Sequence, residues 1–204
     1  MHLFADWLLG TIILVLLGAL VVVKGVATGT VLDKPVGNFL VQFVNTFNLF
    51  FLLVVNPLAA LLLLSSRLAT VDPIRMSIVE PWAGIVVNLA GLVLYVAGFV
   101  LMGWALITLG NNYQIGGTPP RSQDTMVVAG PYVLIRHPMY ASALSISLGL
   151  ACLTESWGLA CVFFVYLVLI LLLIPLEERR LHTAYGEQFA GYQHKVRKLI
   201  PFVY

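Results

Sequence analysis

Long apolar runs constrain this chain more than any other feature. A bilayer core about 30 Å thick needs about 20 helical residues to cross it. Five runs are candidates: Trp7 to Val23, Phe39 to Leu64, Trp82 to Leu109, Tyr140 to Leu153, and Trp157 to Leu176. The first is marginal in length, and the fourth is short even if its helix starts at Pro138. The runs predict an all-α integral membrane protein, a bundle of about five transmembrane helices with a C-terminal helical hairpin.

The composition excludes several other classes of protein. Of the 204 residues, 60% are hydrophobic and only 10% are charged, whereas soluble domains are about a quarter charged. The net charge of +2 and its scatter do not indicate a nucleic-acid partner. No Lys or Arg precedes Lys24, so the first run is interpreted as a permanent helix and not as a cleaved signal peptide. Cys152 and Cys161 lie in apolar runs, which indicates neither a disulfide framework nor a metal site.

The distribution of Lys and Arg predicts the orientation in the membrane. With five crossings and the N-terminus outside, nine basic residues fall inside: Lys24, Lys34, Arg121, Arg136, Arg179, Arg180, Lys195, Arg197 and Lys198. Only Arg67 and Arg75 fall outside. The positive-inside rule therefore places a site near Arg136 and the whole C-terminal tail in the cytosol.

Two polar or small-residue patterns lie inside the apolar runs. Gly84, Gly91, Gly98 and Ala105 recur every seven residues and predict a smooth stripe for close helix packing. In the second run, one side of the helix carries amides that need hydrogen-bond partners at bilayer depth, either on another helix or along a polar substrate path. The amides are Gln42, Asn45, Asn48 and Asn56. Pro57 predicts a kink beside Asn56.

The longest loop, Gly110 to His137, ends in a basic pair at the start of the fourth helix. Arg136 and His137 stand where free N–H groups and the helix dipole favour an anion, or where basic side chains reach lipid headgroups. The short turn after Leu153 predicts a hairpin that brings Glu177 and Glu178 close to this pair. Those acids indicate either a salt-bridged helix end or a site. Glu178 and His182 alone do not make a metal site.

The C-terminal segment combines an aromatic face with basic residues. Phe189, Tyr192 and Val196 share one helical face, and the rest of the surface is basic. This pattern predicts a short interfacial helix. Such a helix is also compatible with closing a site from below.

Together these motifs resemble a known family. The sequence RHPMY at 136–140, the acid pair about forty residues later, and AYGEQFAGYQHKVRKLIP at 184–201 are similar to the isoprenylcysteine carboxyl methyltransferases and phospholipid methyltransferases. LGNNY at 109–113 also resembles the family's turn. The resemblance covers roughly residues 100–204, and residues 1–80 match nothing we can name. We therefore divide the chain into N-terminal helices, 1–80, and a methyltransferase core, 81–204, with a cofactor loop at 110–140.

The resemblance implies S-adenosylmethionine as cofactor, bound on the cytosolic side, and a lipophilic or prenylated acceptor from the bilayer. The expected cofactor-binding residues are Val128, Gly130, Tyr132, Arg136, His137, Pro138, Tyr140, Glu177 and Glu178. Glu178 and Arg197 are the expected catalytic residues, with Arg197 holding an acceptor carboxylate. No metal is expected. Family members often carry a histidine where this chain has Asp124, so one cofactor contact has changed or this loop pairs differently.

Two other functions stay open at this stage. Membrane sterol and steroid reductases that use NADPH have a similar C-terminal pattern, although their cofactor's phosphates need more cationic groups than this chain offers. A small transporter or scaffold would line a path with Gln42, Asn45, Asn48 and Asn88. It would explain neither the acid pair nor RHPMY. The sequence does not indicate an oligomeric state.

Overall fold

The computed structural model describes residues 3–32, 37–114, 118, 120, 121 and 123–200. Among these residues it contains helices and two isolated β-bridges but no strand. The α-helices are α1 (Asp6–Thr28), α2 (Phe39–Phe50), α3 (Asn56–Leu64), α4 (Leu68–Val71), α5 (Pro81–Leu109), α6 (Pro138–Thr154), α7 (Trp157–Tyr185) and α8 (Glu187–Lys195). The predicted all-α membrane bundle is confirmed. Lys34, counted above, lies outside the described residues, as do positions 115–117, 119 and 122 of the predicted loop.

Among the described residues, four helical segments are long and apolar enough to cross a membrane: Asp6–Thr28, Phe39–Leu64, Pro81–Asn112 and Trp157–Tyr185. The fourth predicted run forms α6, which has only 17 residues. α6 and α7 are joined through Glu155, which adopts a left-handed conformation with φ 51°. The predicted hairpin is therefore present, with one arm shorter than the other.

Close packing of α5 on α6 forms the centre of the bundle, and glycines make it possible. A Cβ atom added at Gly98 would lie 2.7 Å from Cγ1 of Ile146, and one added at Gly91 would lie 2.8 Å from Cβ of Cys152. On the facing helix, a Cβ at Gly149 would lie 2.6 Å from the backbone nitrogen of Tyr95. The predicted packing role of the glycine stripe is confirmed at Gly91 and Gly98.

The predicted kink near Asn56 takes the form of a π-helical turn. Residues Phe51–Val55 form this turn, and Pro57 follows in the first turn of α3. The wider turn accommodates the proline, which has no N–H to donate. Asn56 donates from Nδ2 to the carbonyl of Phe51 at 2.8 Å and accepts from the hydroxyl of Tyr95 at 2.6 Å. For Asn56, the expected interhelical hydrogen bond is confirmed.

The two ends of the bundle differ in charge and in chemistry. One end carries Lys24, Arg136 and α8, and we call it the tail end. At the opposite end, Asn88 donates to Glu155 at 2.8 Å, and Arg75 lies 3.7 Å from the same carboxylate. Within the described part of the chain, most Lys and Arg residues lie in segments at the tail end.

Candidate active site

A cavity of about 250 Å³ lies at the tail end of the bundle. One part of it, the apolar chamber, is enclosed by side chains of α1, the segment 49–53 and α5. The chamber residues are Leu17, Leu20, Val21, Leu49, Leu52, Leu53, Met102, Leu106 and Leu109. The other part, the polar wall, consists of Tyr132, Arg136, His137, Tyr140, Glu177 and Tyr192. The cavity therefore joins a lipid-like compartment to a polar one.

The first turn of α6 forms one side of the polar wall. Pro138 is its first residue, a position where the missing N–H costs nothing. The amide of Ala141 bonds to the carbonyl of His137 at 3.1 Å, so the amides of Met139 and Tyr140 precede the regular helical ladder. Both residues line the cavity. The rings of His137 and Tyr140 stack with centroids 5.6 Å apart.

The last turns of α7 supply the two neighbouring carboxylates. The helix runs through Pro175 and places Glu177 and Glu178 on different sides, because consecutive helical residues project about 100° apart. Glu177 lines the cavity and accepts a hydrogen bond from the hydroxyl of Tyr140. Glu178 is buried away from the cavity lining. Only one acid of the pair thus faces the cavity.

Glu178 is the centre of an ionic cluster that joins the two arms of the hairpin. Its Oε1 accepts from Nε and Nη2 of Arg136 at 2.9 and 2.6 Å, and lies 3.2 Å from Nε2 of His137. Its Oε2 lies 3.9 Å from Nζ of Lys198. The predicted meeting of the basic and acidic hairpin ends is confirmed by these contacts.

The C-terminal segment is hydrogen-bonded to the residues before α6. The amide of Arg136 donates to the carbonyl of Arg197 at 2.7 Å, and that of His137 donates to the carbonyl of Lys198 at 2.9 Å. The free N–H groups predicted at this pair are therefore occupied by the chain's own tail. The amides that remain for a ligand are those of the following turn.

α8 covers the cavity from the tail side. Phe189 is 1% exposed, and both Phe189 and Tyr192 line the cavity. The hydroxyl of Tyr192 donates to the carbonyl of Tyr132. Burial raises the pKa of Tyr192 to about 12 against an opposing effect of Arg136, and burial with the nearby Glu177 carboxylate raises the pKa of Tyr132. Both phenols are neutral at physiological pH.

Asp124 is engaged within its own loop. Its carboxylate accepts from the amide of Arg121 at 2.8 Å, from Nε of Arg121 at 3.0 Å, and from the side chain of Gln114. Asp124 also borders the cavity.

The remaining candidate residues lie in different surroundings. Pro138 lines the cavity, but Val128 and Gly130 do not; Val128 is 45% exposed. Gly130 has φ +55° beside Trp104 and Thr108. The side chain of Arg197 is exposed, and only its backbone carbonyl meets Arg136. No group of three His, Cys, Asp or Glu side chains in the described part of the chain could hold a metal ion.

For several cavity residues the sequence left two roles open. Asn45 and Asn48 line the cavity, although Asn45 also donates to the carbonyl of Val41 at 2.8 Å. Phe189 and Tyr192 were predicted to lie on an interfacial helix, which was also compatible with closing a site. The available sequence signal was their shared helical face. It did not separate the two environments, because an aromatic face packs equally well on lipid or on protein.

Comparison with known proteins indicates the family of this chain. The family model of the phospholipid methyltransferases matches residues 86–188. The cobalt-zinc-cadmium resistance protein CzcN of Cupriavidus metallidurans is 33% identical over 102 residues, which make up 50% of this chain and 47% of CzcN. The match thus spans about half the length of this curated relative.

A solved structure shares the fold. The eukaryotic intramembrane Ras methyltransferase ICMT, an isoprenylcysteine carboxyl methyltransferase, matches with a TM-score of 0.51 at 19% identity. The match covers 92% of this chain and 74% of ICMT, so it includes helices that lie before the family match. With half of its residues matched by the family model and a membrane-spanning helical fold, this chain belongs to the phospholipid methyltransferase family.

Proposed function

We propose that this protein transfers a methyl group from S-adenosylmethionine to a lipophilic acceptor that enters from the membrane. The observation that carries the proposal is a continuous cavity that joins the apolar chamber to the polar wall around Glu177 and Tyr140. A polar cofactor and a greasy acceptor can meet there without either leaving its preferred surroundings.

The chemistry of the polar wall fits S-adenosylmethionine. Glu177 is a carboxylate that can accept from the ammonium group of the cofactor. The first-turn amides of Met139 and Tyr140 stand at a helix N-terminus, which favours a carboxylate. The rings of Tyr132 and Tyr140 can face a sulfonium through cation–π attraction. When bound, S-adenosylmethionine supplies a methyl group activated by its positive sulfur.

The chain's own contribution is alignment and the exclusion of water. Met102, Leu106 and Leu109 hold apolar groups beside the polar wall, and α8 covers the tail side. A site that holds the two reactants in line lowers the entropy cost of bringing them together in the reaction step. A closed site also prevents hydrolysis and strengthens electrostatic contacts. An acceptor that is already anionic needs no general base.

The N-terminal helices give the chamber its lipophilic character. Leu17, Leu20 and Val21 come from α1, and Leu53 lines the chamber while 42% exposed. We infer that residues 1–80 form the acceptor side of the enzyme, and that the acceptor enters beside Leu53. The tail end, with its excess of basic residues, would face the cytosol.

The cationic groups of the cavity disfavour a pyridine nucleotide. Nζ of Lys24 donates to the carbonyls of Thr30 and Val31. Arg136 uses four of its five N–H donors on Glu178 and on backbone carbonyls. Phosphates of NADPH would need such donors. The geometry therefore favours the sulfonium cofactor.

Ligand binding to the detergent-solubilised protein tests the proposal. S-adenosylmethionine and NADPH are titrated separately by calorimetry. The protein is then incubated with methyl-labelled S-adenosylmethionine and a panel of aminophospholipids, fatty acids and prenylated thiols. We expect saturable binding of S-adenosylmethionine and label in one lipid class. Binding of NADPH alone would contradict the proposal, as would S-adenosylmethionine binding that never leads to label in any lipid.

A further inference from the structure

Glu178 is hydrogen-bonded to Arg136, and Arg136 in turn contacts the C-terminal end of α8. Its Oε1 receives Nε and Nη2 of Arg136 at 2.9 and 2.6 Å. Glu178 is 9% exposed and is absent from the cavity lining, whereas its neighbour Glu177 is part of that lining. A carboxylate so placed neutralises the guanidinium and fixes its plane.

The other side of the same guanidinium holds the end of α8. Nη1 of Arg136 donates to the carbonyl of Gln193 at 3.2 Å and to the carbonyl of Val196. The last carbonyls of a helix have no partner within it, and a cation is favourable at that end. Arg136 therefore caps the C-terminus of α8.

The position of α8 decides the shape of the polar wall. Phe189 and Tyr192 project from this helix into the cavity lining, and Tyr192 bonds to the carbonyl of Tyr132. Backbone hydrogen bonds from the amides of Arg136 and His137 to the carbonyls of Arg197 and Lys198 hold the residues that follow α8. We call these bonds, together with the contacts of Glu178 and Arg136 with the end of α8, the junction. Loss of the cap would loosen the helix that closes this end.

We infer that Glu178 is a positioning residue: it holds Arg136 as the cap of α8 and so keeps Phe189 and Tyr192 at the cofactor end of the cavity. Glu178 does not itself touch the cofactor. The inference rests on the proposed function for the identity of the cofactor. The junction itself is present in the protein without any ligand. It differs from the expectation, based on the family resemblance, that Glu178 binds the cofactor and takes part in catalysis.

Hydrogen exchange on the ligand-free protein in detergent, together with S-adenosylmethionine titration, tests this role. In Glu178→Gln we expect amide exchange in residues 187–200 to rise about tenfold, the factor that corresponds to weakening one charged hydrogen bond. Exchange in α5 should stay unchanged, and the affinity for S-adenosylmethionine should fall. Glu177→Gln is the matched control: it should lower the affinity without changing exchange in the tail.

The outcomes separate this role from direct binding and from the proposed function. Unchanged tail exchange in Glu178→Gln would overturn the inference, whether or not affinity falls. If the unsubstituted protein does not bind S-adenosylmethionine, the proposed function fails while the exchange result still decides the junction. If Glu178→Gln does not fold, Arg136→Lys replaces it. Lysine keeps the charge but lacks the fork that reaches both Glu178 and α8, so tail exchange should rise in the same way.

Discussion

At the scale of single residues, two adjacent glutamates have different surroundings. Glu177 meets Tyr140 at the cavity, and Glu178 meets Arg136 behind it. The resemblance implied that both bind the cofactor, but neighbouring helical residues diverge by about 100°, so only one of the two can face a given pocket. The sequence does not indicate which one. That choice depends on the rotation of α7, which is fixed by packing such as that of Tyr166 on Phe47, with ring centroids 5.2 Å apart.

Glu177→Gln tests the cavity-facing acid. The amide keeps the shape of the side chain but loses the charge that would face the cofactor's ammonium. A hydrogen bond to a charged group contributes about 1.5–3 kcal/mol, so we expect affinity for S-adenosylmethionine to fall at least about tenfold. Calorimetric titration measures it. Glu187→Gln, at an exposed position in the first turn of α8, should stay within about twofold; an equal loss in both variants would point to a nonspecific charge effect.

At the scale of helices, the close contact between α5 and α6 forms the centre of the bundle. Sequence spacing was enough to predict a close-packing face on α5, because small residues every seven positions fall on one helix face; it did not identify α6 as the partner. The π-helical turn was predicted only as a kink. Pro57 marks the place, but whether a helix bends or widens there depends on partners such as the Tyr95 hydroxyl on Asn56, which lies far away in sequence.

Gly98→Ala tests the interface. The added methyl would lie 2.9 Å from the backbone carbonyl oxygen of Ser142, which cannot move without α6. Overpacking of this kind costs about 1–3 kcal/mol, so we expect a lower midpoint of thermal unfolding in detergent. Gly18→Ala is the control, since nothing lies within 4 Å of its added Cβ. An unchanged midpoint in Gly98→Ala would show that the helices can separate without cost.

At the scale of the whole molecule, helices from both halves of the chain build one cavity. The C-terminal half could be interpreted from its motifs, since RHPMY and the acid pair have recognisable chemistry. The N-terminal helices carry no such motif, because an apolar chamber requires only side chains of suitable size. Their place around the cavity depends on tertiary packing, including the approach of α1 to α3 at Gly10, where an added Cβ would lie 2.8 Å from the carbonyl oxygen of Ala60.

Leu53→Trp tests the acceptor side. The larger ring should fill the chamber and raise the acceptor concentration needed for half-maximal methyl transfer about tenfold, the effect of losing roughly 1.4 kcal/mol of binding. Binding of S-adenosylmethionine should not change. The assay follows label transfer into the lipid class identified above. Val54→Trp is the control, because Val54 is 44% exposed and lies outside the cavity lining. Equal behaviour of the two variants would place acceptor entry elsewhere.

The lining of the cavity depends on the number of residues in the π-helical turn at Phe51–Val55. Each residue advances a helix by about 100°, so deleting one residue from this turn would rotate α2 relative to α3 by that angle. Asn45, Asn48 and Leu49 would then turn away from the cavity that they line, and lipid-facing side chains of α2 would take their places. A one-residue insertion or deletion in this turn, with no substitution at all, would therefore change which side chains line the apolar chamber of a related protein while leaving the polar wall unchanged.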